Sequence, residues 1–134
     1  QVAILISGHL RSFSQCIDSL IRVKEYFNAD IFIVIAFRLL PVSLFKMPPL
    51  GTINLHSSYL PKYKGLNTSV RALQNNEKYS GCTVHYVSEK LDSGKIILQK
   101  KIKITKNETE ISLDKKIIKE EHKLYPKAIS KIFN

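Results

Sequence analysis

Long apolar runs are missing from this chain of 134 residues, and a bilayer span needs roughly 18–20 of them in a row. The longest run, Ile31 to Leu40, is interrupted by Arg38 and reads better as a buried strand. Val2 to Ile6 is too short for a secretion signal, and Gly8 follows it closely. The expectation is a cytoplasmic protein without membrane contact; the start at Gln1 rather than Met is read as a sign of an upstream piece. Cysteine is scarce too. Cys16 and Cys82 lie far apart and match no metal spacing, so both read as reduced, structural thiols. His85 and His122 lack the spacing with acids that a metal site needs, and no metal is expected. Without a secretion signal, the sequons at Asn67 and Asn107 carry no weight. Internal repeats and low-complexity segments are absent.

What remains is the composition of one soluble domain over 1–134, with 44% hydrophobic and 24% charged residues. Basic residues outnumber acidic ones, 21 to 11, for a net charge of +10, which calls for an anionic partner. The lysines concentrate between Lys95 and Lys131, where Glu108, Glu110, Asp114, Glu120 and Glu121 interleave with them. That pattern reads as a solvated helix face, and no aromatic-basic stacking motif accompanies it. Nucleic acid is therefore disfavoured. A small ligand carrying phosphate or polyglutamate accounts for the charge equally well.

Hydrophobic periodicity gives an α/β order. Gln1 to Ser7 reads as a strand ending at Gly8, Ser12 to Phe27 as a helix, and Ile31 to Ala36 as a strand buried on both faces. Strand, helix and strand form a βαβ unit, expected to cross over right-handed. Pro41, Pro48 and Pro49 leave at most a turn or two of helix before a third strand, Thr52 to Leu55. Asn67 to Asn75 fits a helix capped by Asn67, with Val70 and Leu73 inward. Cys82 to Val87 and Lys95 to Ile104 complete the strands, the last alternating through Ile96, Leu98, Ile102 and Ile104. Ser112 to Phe133 is expected helical, kinked at Pro126.

The third strand carries the strongest chemical signal. Asn54 and His56 project from one side of it, while Ile53 and Leu55 face the other. A hydrogen-bond donor beside a titratable ring at the carboxyl end of a strand is where open α/β sheets keep their chemistry. A histidine held in a turn would explain His56 alone, as a plain turn residue would explain Asp92 in Leu91-Asp92-Ser93-Gly94. Glu121 falls inside the apolar stripe of the last helix, which runs through Leu113, Ile117, Ile118, Leu124, Tyr125, Ala128, Ile129 and Ile132. A carboxylate there is paired with a lysine at the helix margin or has a function.

The run from Gly51 to Gly65, with its Asn54-Leu55-His56 core and Leu60-Pro61-Lys62, resembles the folate-dependent formyltransferases. So do Gly81 to Val87, Leu91-Asp92-Ser93-Gly94 and Ile96-Ile97-Leu98-Gln99. The resemblance implies a three-layer, mostly parallel Rossmann-like sheet and a triad of Asn54, His56 and Asp92. It also implies a folate-binding loop through Arg38, Leu39 and Leu40, with Asp92 contributing, and 10-formyltetrahydrofolate as co-substrate. The ending Glu121-His122-Lys123-Leu124-Tyr125-Pro126 is similar to glycinamide ribonucleotide formyltransferases in particular, where the glutamate, with Ser58, would contact the amine-bearing substrate.

Residues 1–30 depart from that pattern. Ala3 to Gly8 looks like the family's opening strand and turn, but His9-Leu10-Arg11-Ser12 stands where a phosphate-binding loop is expected. Gly8, Arg11 and Ser12 are the replacement candidates for a phosphate at a helix N-terminus. The chain also lacks about two β/α units of the family fold before residue 31, the catalytic part being 31–134. Three functions follow as expectations: formyl transfer to glycinamide ribonucleotide in purine synthesis, transfer to methionyl-tRNA or an amino sugar nucleotide, or folate binding without turnover. The tRNA enzyme would call for a further C-terminal domain. An exposed sheet edge allows a homodimer.

Overall fold

A computed structural model describes residues 3–7, 21–22, 25–26, 28–35 and 40–134, with the backbone alone at 3–7 and 35. Its centre is a five-stranded sheet of order β1-β2-β3-β4-β5: β1 (Ala3–Ser7), β2 (Ile31–Ile35), β3 (Thr52–His56), β4 (Tyr79–Tyr86) and β5 (Ile96–Lys103). The first three strands pair in parallel, and β4 and β5 extend the sheet antiparallel. Three helices are bounded in the described part: α1 (Val42–Phe45), α2 (Thr68–Gln74) and α3 (Glu110–Phe133). Of the helix expected over Ser12 to Phe27, Ile21, Arg22, Glu25 and Tyr26 are helical, and the rest lies outside the described residues.

Alternation in the strands sorts side chains into two cores. Ile31, Ile33, Ile53, Cys82, Val84 and Ile102 meet Leu113, Ile117, Leu124 and Ala128 of α3 on one face. Phe32, Val34, Ala29, Leu40, Leu44 and Phe45 close the other. The all-apolar β2 feeds both, as a strand buried on two faces must. The sheet and its two covering layers are the α/β architecture expected, and Pro41 to Pro49 allow only the single turn of α1.

Helix α3 starts at a capping box: the Ser112 amide donates to the Thr109 hydroxyl, and the Ser112 hydroxyl accepts from the Thr109 amide. Pro126 sits within it without ending it. Three local expectations change. Asn67 precedes α2 in a left-handed conformation and its side chain makes no cap, because the Thr68 hydroxyl instead donates to the Ser57 carbonyl at 2.6 Å. Ile118 is 48% exposed and lies off the buried stripe, since its neighbour Ile117 takes the core-facing position. Ile96 is also exposed, beside the register shift at Val84/His85.

Leu113 is fully buried between α3 and the sheet. Leu113→Ala should destabilise the fold by about 2–5 kcal/mol in urea unfolding, the range for an unfilled core cavity. A loss under about 1 kcal/mol would mean that α3 does not pack as described.

Candidate active site

Asn54 and His56 share one face of β3, and the antiparallel register sets His85 beside Asn54 and Thr83 beside His56. Asn54, His56 and Asp92 are between 7% and 8% exposed and His85 is 2% exposed. Asp92 arrives from the turn joining β4 to β5, at a φ of 47°, a left-handed backbone that aspartate tolerates better than most residues. The turn lies so close to β4 that a Cβ on Gly94 would sit 1.7 Å from the Tyr86 carbonyl oxygen. Only glycine fits there.

The Asp92 carboxylate gathers three groups. Its Oδ2 is 3.5 Å from His56 Nδ1 and accepts the Gly65 amide at 2.8 Å; its Oδ1 is 3.6 Å from His85 Nε2. Burial opposes the charge on Asp92. Hydrogen bonding from His85 and Gly65, with the nearby histidine charges, outweighs it and holds the carboxyl below its ordinary range.

Backbone carbonyls fix the proton positions of both rings. His56 Nε2 lies 2.8 Å from the Tyr63 carbonyl oxygen, and His85 Nδ1 lies 2.8 Å from that of Tyr86. A carbonyl only accepts, so each of those nitrogens carries hydrogen, and each ring gains its second proton on the nitrogen facing Asp92. Asn54 Nδ2 is 3.4 Å from His85 Nε2 and donates to it while that nitrogen is unprotonated. Asn54 Oδ1 is buried without a hydrogen-bond partner among the described residues. An orphaned buried acceptor is costly and is ready for an incoming N–H.

The loop after β3 is pinned at several points. Ser58 is buried, its hydroxyl donating to the Lys62 carbonyl at 2.6 Å. The Thr83 hydroxyl donates to the Ser58 carbonyl at 2.7 Å, and Gln99 Nε2 donates to the Leu60 carbonyl at 2.8 Å. Lys62 and the Tyr63 hydroxyl both donate to Glu77, at 2.8 and 2.9 Å. Beside the Asp92 turn opens a cavity of about 390 Å³ between Phe45 and Val87, rimmed by Lys46, Ser88, Glu89, Lys90 and Ser93.

Glu121 is buried on α3 as its place in the stripe predicts. Its partner is a serine rather than a lysine: the Ser57 hydroxyl donates to Oε1 at 2.8 Å. Burial raises its pKa, opposed by that hydrogen bond. The structure therefore brings Asn54, His56 and Asp92 together and ties Glu121 to the same loop. The Ser58 hydroxyl is spent inside the loop, and the Leu40 side chain is in the second core. Gly8, Arg11, Ser12, Arg38 and Leu39 lie outside the described residues. His85 and Ser57 escaped the sequence reading. The antiparallel pairing of β4 with β3 would have exposed His85, whereas nothing in the sequence singles out Ser57. Among the described residues no group of three or more His, Cys, Asp or Glu side chains is arranged to hold a metal, and no helix is long and apolar enough to cross a membrane.

A family model described as formyl transferase matches residues 1–129. The chain is 45% identical over 82 residues to the trifunctional purine biosynthetic protein adenosine-3 of Drosophila melanogaster, covering 61% of this chain and 6% of that protein. It is 41% identical over 104 residues to methionyl-tRNA formyltransferase of Kosmotoga olearia, covering 77% of this chain and 33% of that one. Phosphoribosylglycinamide formyltransferase from Bacillus halodurans superposes with a TM-score of 0.83 at 29% identity, over 93% of this chain and 65% of that one. The enzyme from Anaplasma phagocytophilum gives 0.79 at 34% identity, over 84% and 56%. The chain thus spans a third or less of these curated relatives.

Glu121 has a consequence for stability. A carboxyl whose folded pKa is raised favours the fold while protonated, below its unfolded value of about 4.3, and loses that contribution as pH rises through the folded value. Glu121→Gln keeps an acceptor for Ser57 and removes the buried charge. Its melting temperature should exceed that of wild type at about pH 8, and the gap should close toward about pH 4. A variant no more stable than wild type at the higher pH would contradict the burial of a charged Glu121.

Proposed function

This chain belongs to the formyl transferase family, and on that premise we propose that it moves a formyl group from 10-formyltetrahydrofolate to the primary amine of glycinamide ribonucleotide. The observation that carries the reading is the convergence of Asn54, His56 and Asp92 at the carboxyl end of β3. Solved phosphoribosylglycinamide formyltransferases superpose on most of the chain and support this acceptor.

The amine attacks the formyl carbon, a C–N bond forms, and negative charge develops on the formyl oxygen. Asn54 Nδ2 donates to that oxygen, and His56, whose ring nitrogens face Tyr63 and Asp92, stabilises it through the positive charge of its protonated ring. Asn54 Oδ1, unpartnered among the described residues, accepts a hydrogen from the attacking amine. As the bond from formyl carbon to the folate N10 breaks, the amine loses a proton and N10 gains one. Asp92 faces His56 Nδ1 and shuttles protons in this exchange. His85 orients Asn54 when neutral and faces Asp92 when charged. The cavity beside Asp92 is within the range of roughly 300–1,000 Å³ usual for small-ligand sites, and its Phe45 and Val87 walls suit a flat heterocycle. Lys46 and Lys90 at its rim suit the anionic tail of a folate.

Methionyl-tRNA is the second acceptor to consider, because the Kosmotoga olearia relative covers 77% of the chain. Purified chain should be titrated with a folate analogue and assayed for formyl transfer to each acceptor. Transfer to glycinamide ribonucleotide supports the proposal, transfer to methionyl-tRNA replaces it, and folate binding without turnover on any amine refutes both. Asn54→Ala and His56→Ala should each lower kcat about 10²–10³-fold, the usual loss for an oxyanion donor. Rates within a few fold of wild type would remove these residues from the mechanism.

A further inference from the structure

The loop after β3 supplies the acceptor on the side of His56 away from Asp92. His56 Nε2 donates to the Tyr63 carbonyl at 2.8 Å, and Nδ1 faces Asp92 Oδ2 at 3.5 Å. Tyr63 presents that carbonyl from a φ of 57°, a left-handed backbone that a bulky residue keeps only where its surroundings impose it. Those surroundings lie outside the site. The Tyr63 hydroxyl donates to Glu77 Oε1 at 2.9 Å, and the Arg71 guanidinium stands 5.1 Å from the centre of its ring. Arg71 Nη1 also donates to the Lys64 carbonyl, the next along the loop, at 2.7 Å. Glu77 is tied to α2 in turn, its amide donating to the Ala72 carbonyl at 3.0 Å.

We propose that Tyr63 is a positioning residue for His56: Glu77 and Arg71 clamp its side chain to α2, and the carbonyl so held keeps hydrogen on His56 Nε2. A neutral imidazole has one hydrogen for two nitrogens, and at His56 two acceptors compete for it. The Asp92 carboxylate is the stronger kind of acceptor. The Tyr63 carbonyl prevails because it is 0.7 Å closer, at 2.8 against 3.5 Å, and the clamp sets that distance. Hydrogen on Nε2 leaves Nδ1 open to take a proton from the Asp92 side; hydrogen on Nδ1 would close that route. Burial raises the Tyr63 hydroxyl above its ordinary value, and the hydrogen bond from Lys62 lowers Glu77, so near neutrality a hydroxyl donates to a carboxylate. The bland alternative is a clamp that only steadies the loop. The proposal rests on the formyl-transfer reading for its effect on rate, and on geometry alone for the tautomer.

Two readouts on the full chain separate these. ¹⁵N NMR of histidine-labelled protein, at a pH where His56 is neutral, should show the Nε2–H tautomer in wild type. Tyr63→Phe and Glu77→Ala should each give a mixture of both tautomers. With both substrates saturating, each variant should lower kcat for glycinamide ribonucleotide about 5- to 10-fold, the scale of one hydrogen bond, and leave KM within about 2-fold. Glu77→Gln keeps an acceptor for the hydroxyl and gives up the ion pair with the largely exposed Lys62, a contact of small worth. It should restore both tautomer and rate. Variants that melt earlier yet keep the wild-type tautomer and kcat would overturn the proposal. So would a Glu77→Gln protein as impaired as Glu77→Ala. A wild-type chain that formylates no amine sinks the functional reading alone, and the tautomers then decide whether Tyr63 positions His56.

Discussion

One carboxylate, Asp92, is shared between His56, His85 and the Gly65 amide, and the geometry of the site follows from that sharing. It links the end of β3, the neighbouring strand β4, the loop after β3 and the turn before β5. Each is fixed by a different device: a parallel and an antiparallel ladder on either side of β3, a left-handed glycine at Gly65, and at Gly94 a backbone contact that leaves no room for a Cβ. A buried anion is tolerated because hydrogen bonds and two imidazoles face it. The same contacts hold each ring with a chosen nitrogen toward the carboxylate.

The two acids of the site sit in opposite environments. Asp92 is held below the usual carboxylate range by its partners, while burial pushes Glu121 above it, moderated by Ser57. Separation of this kind assigns different work to similar groups. Asp92 remains an anion facing two imidazoles, and Glu121 holds its proton more tightly than a free carboxyl does. Burying an ionised Glu121 costs stability, which the Ser57 hydrogen bond offsets in part.

Much of this was legible in the chain. Period-two alternation around Asn54 and His56 gave the face they share, and the break of the apolar stripe at Glu121 marked a carboxylate in a buried position. The all-apolar β2 announced a sheet covered on both sides. Contacts created by pairing over long separations stayed hidden. His85 reaches Asn54 only through the antiparallel register of β4 on β3, and Ser57 meets Glu121 across 64 positions of sequence. Local propensity also misled at Asn67, where Thr68 makes the tertiary hydrogen bond and the asparagine is left in a left-handed turn. Tertiary demands override cap preferences at such junctions.

The central claim is that the charge on Asp92 makes the Asn54–His56 pair catalytic. It is tested most directly by single-turnover transfer of a labelled formyl group from 10-formyltetrahydrofolate to glycinamide ribonucleotide, comparing wild type with Asp92→Asn. The substitution keeps the size and an acceptor for the Gly65 amide while removing the negative charge that faces His56 Nδ1. The account predicts a rate lower by about two to three orders of magnitude, the scale of a lost electrostatic stabiliser, with folate binding retained. A variant that transfers the formyl group within a few fold of the wild-type rate would contradict it.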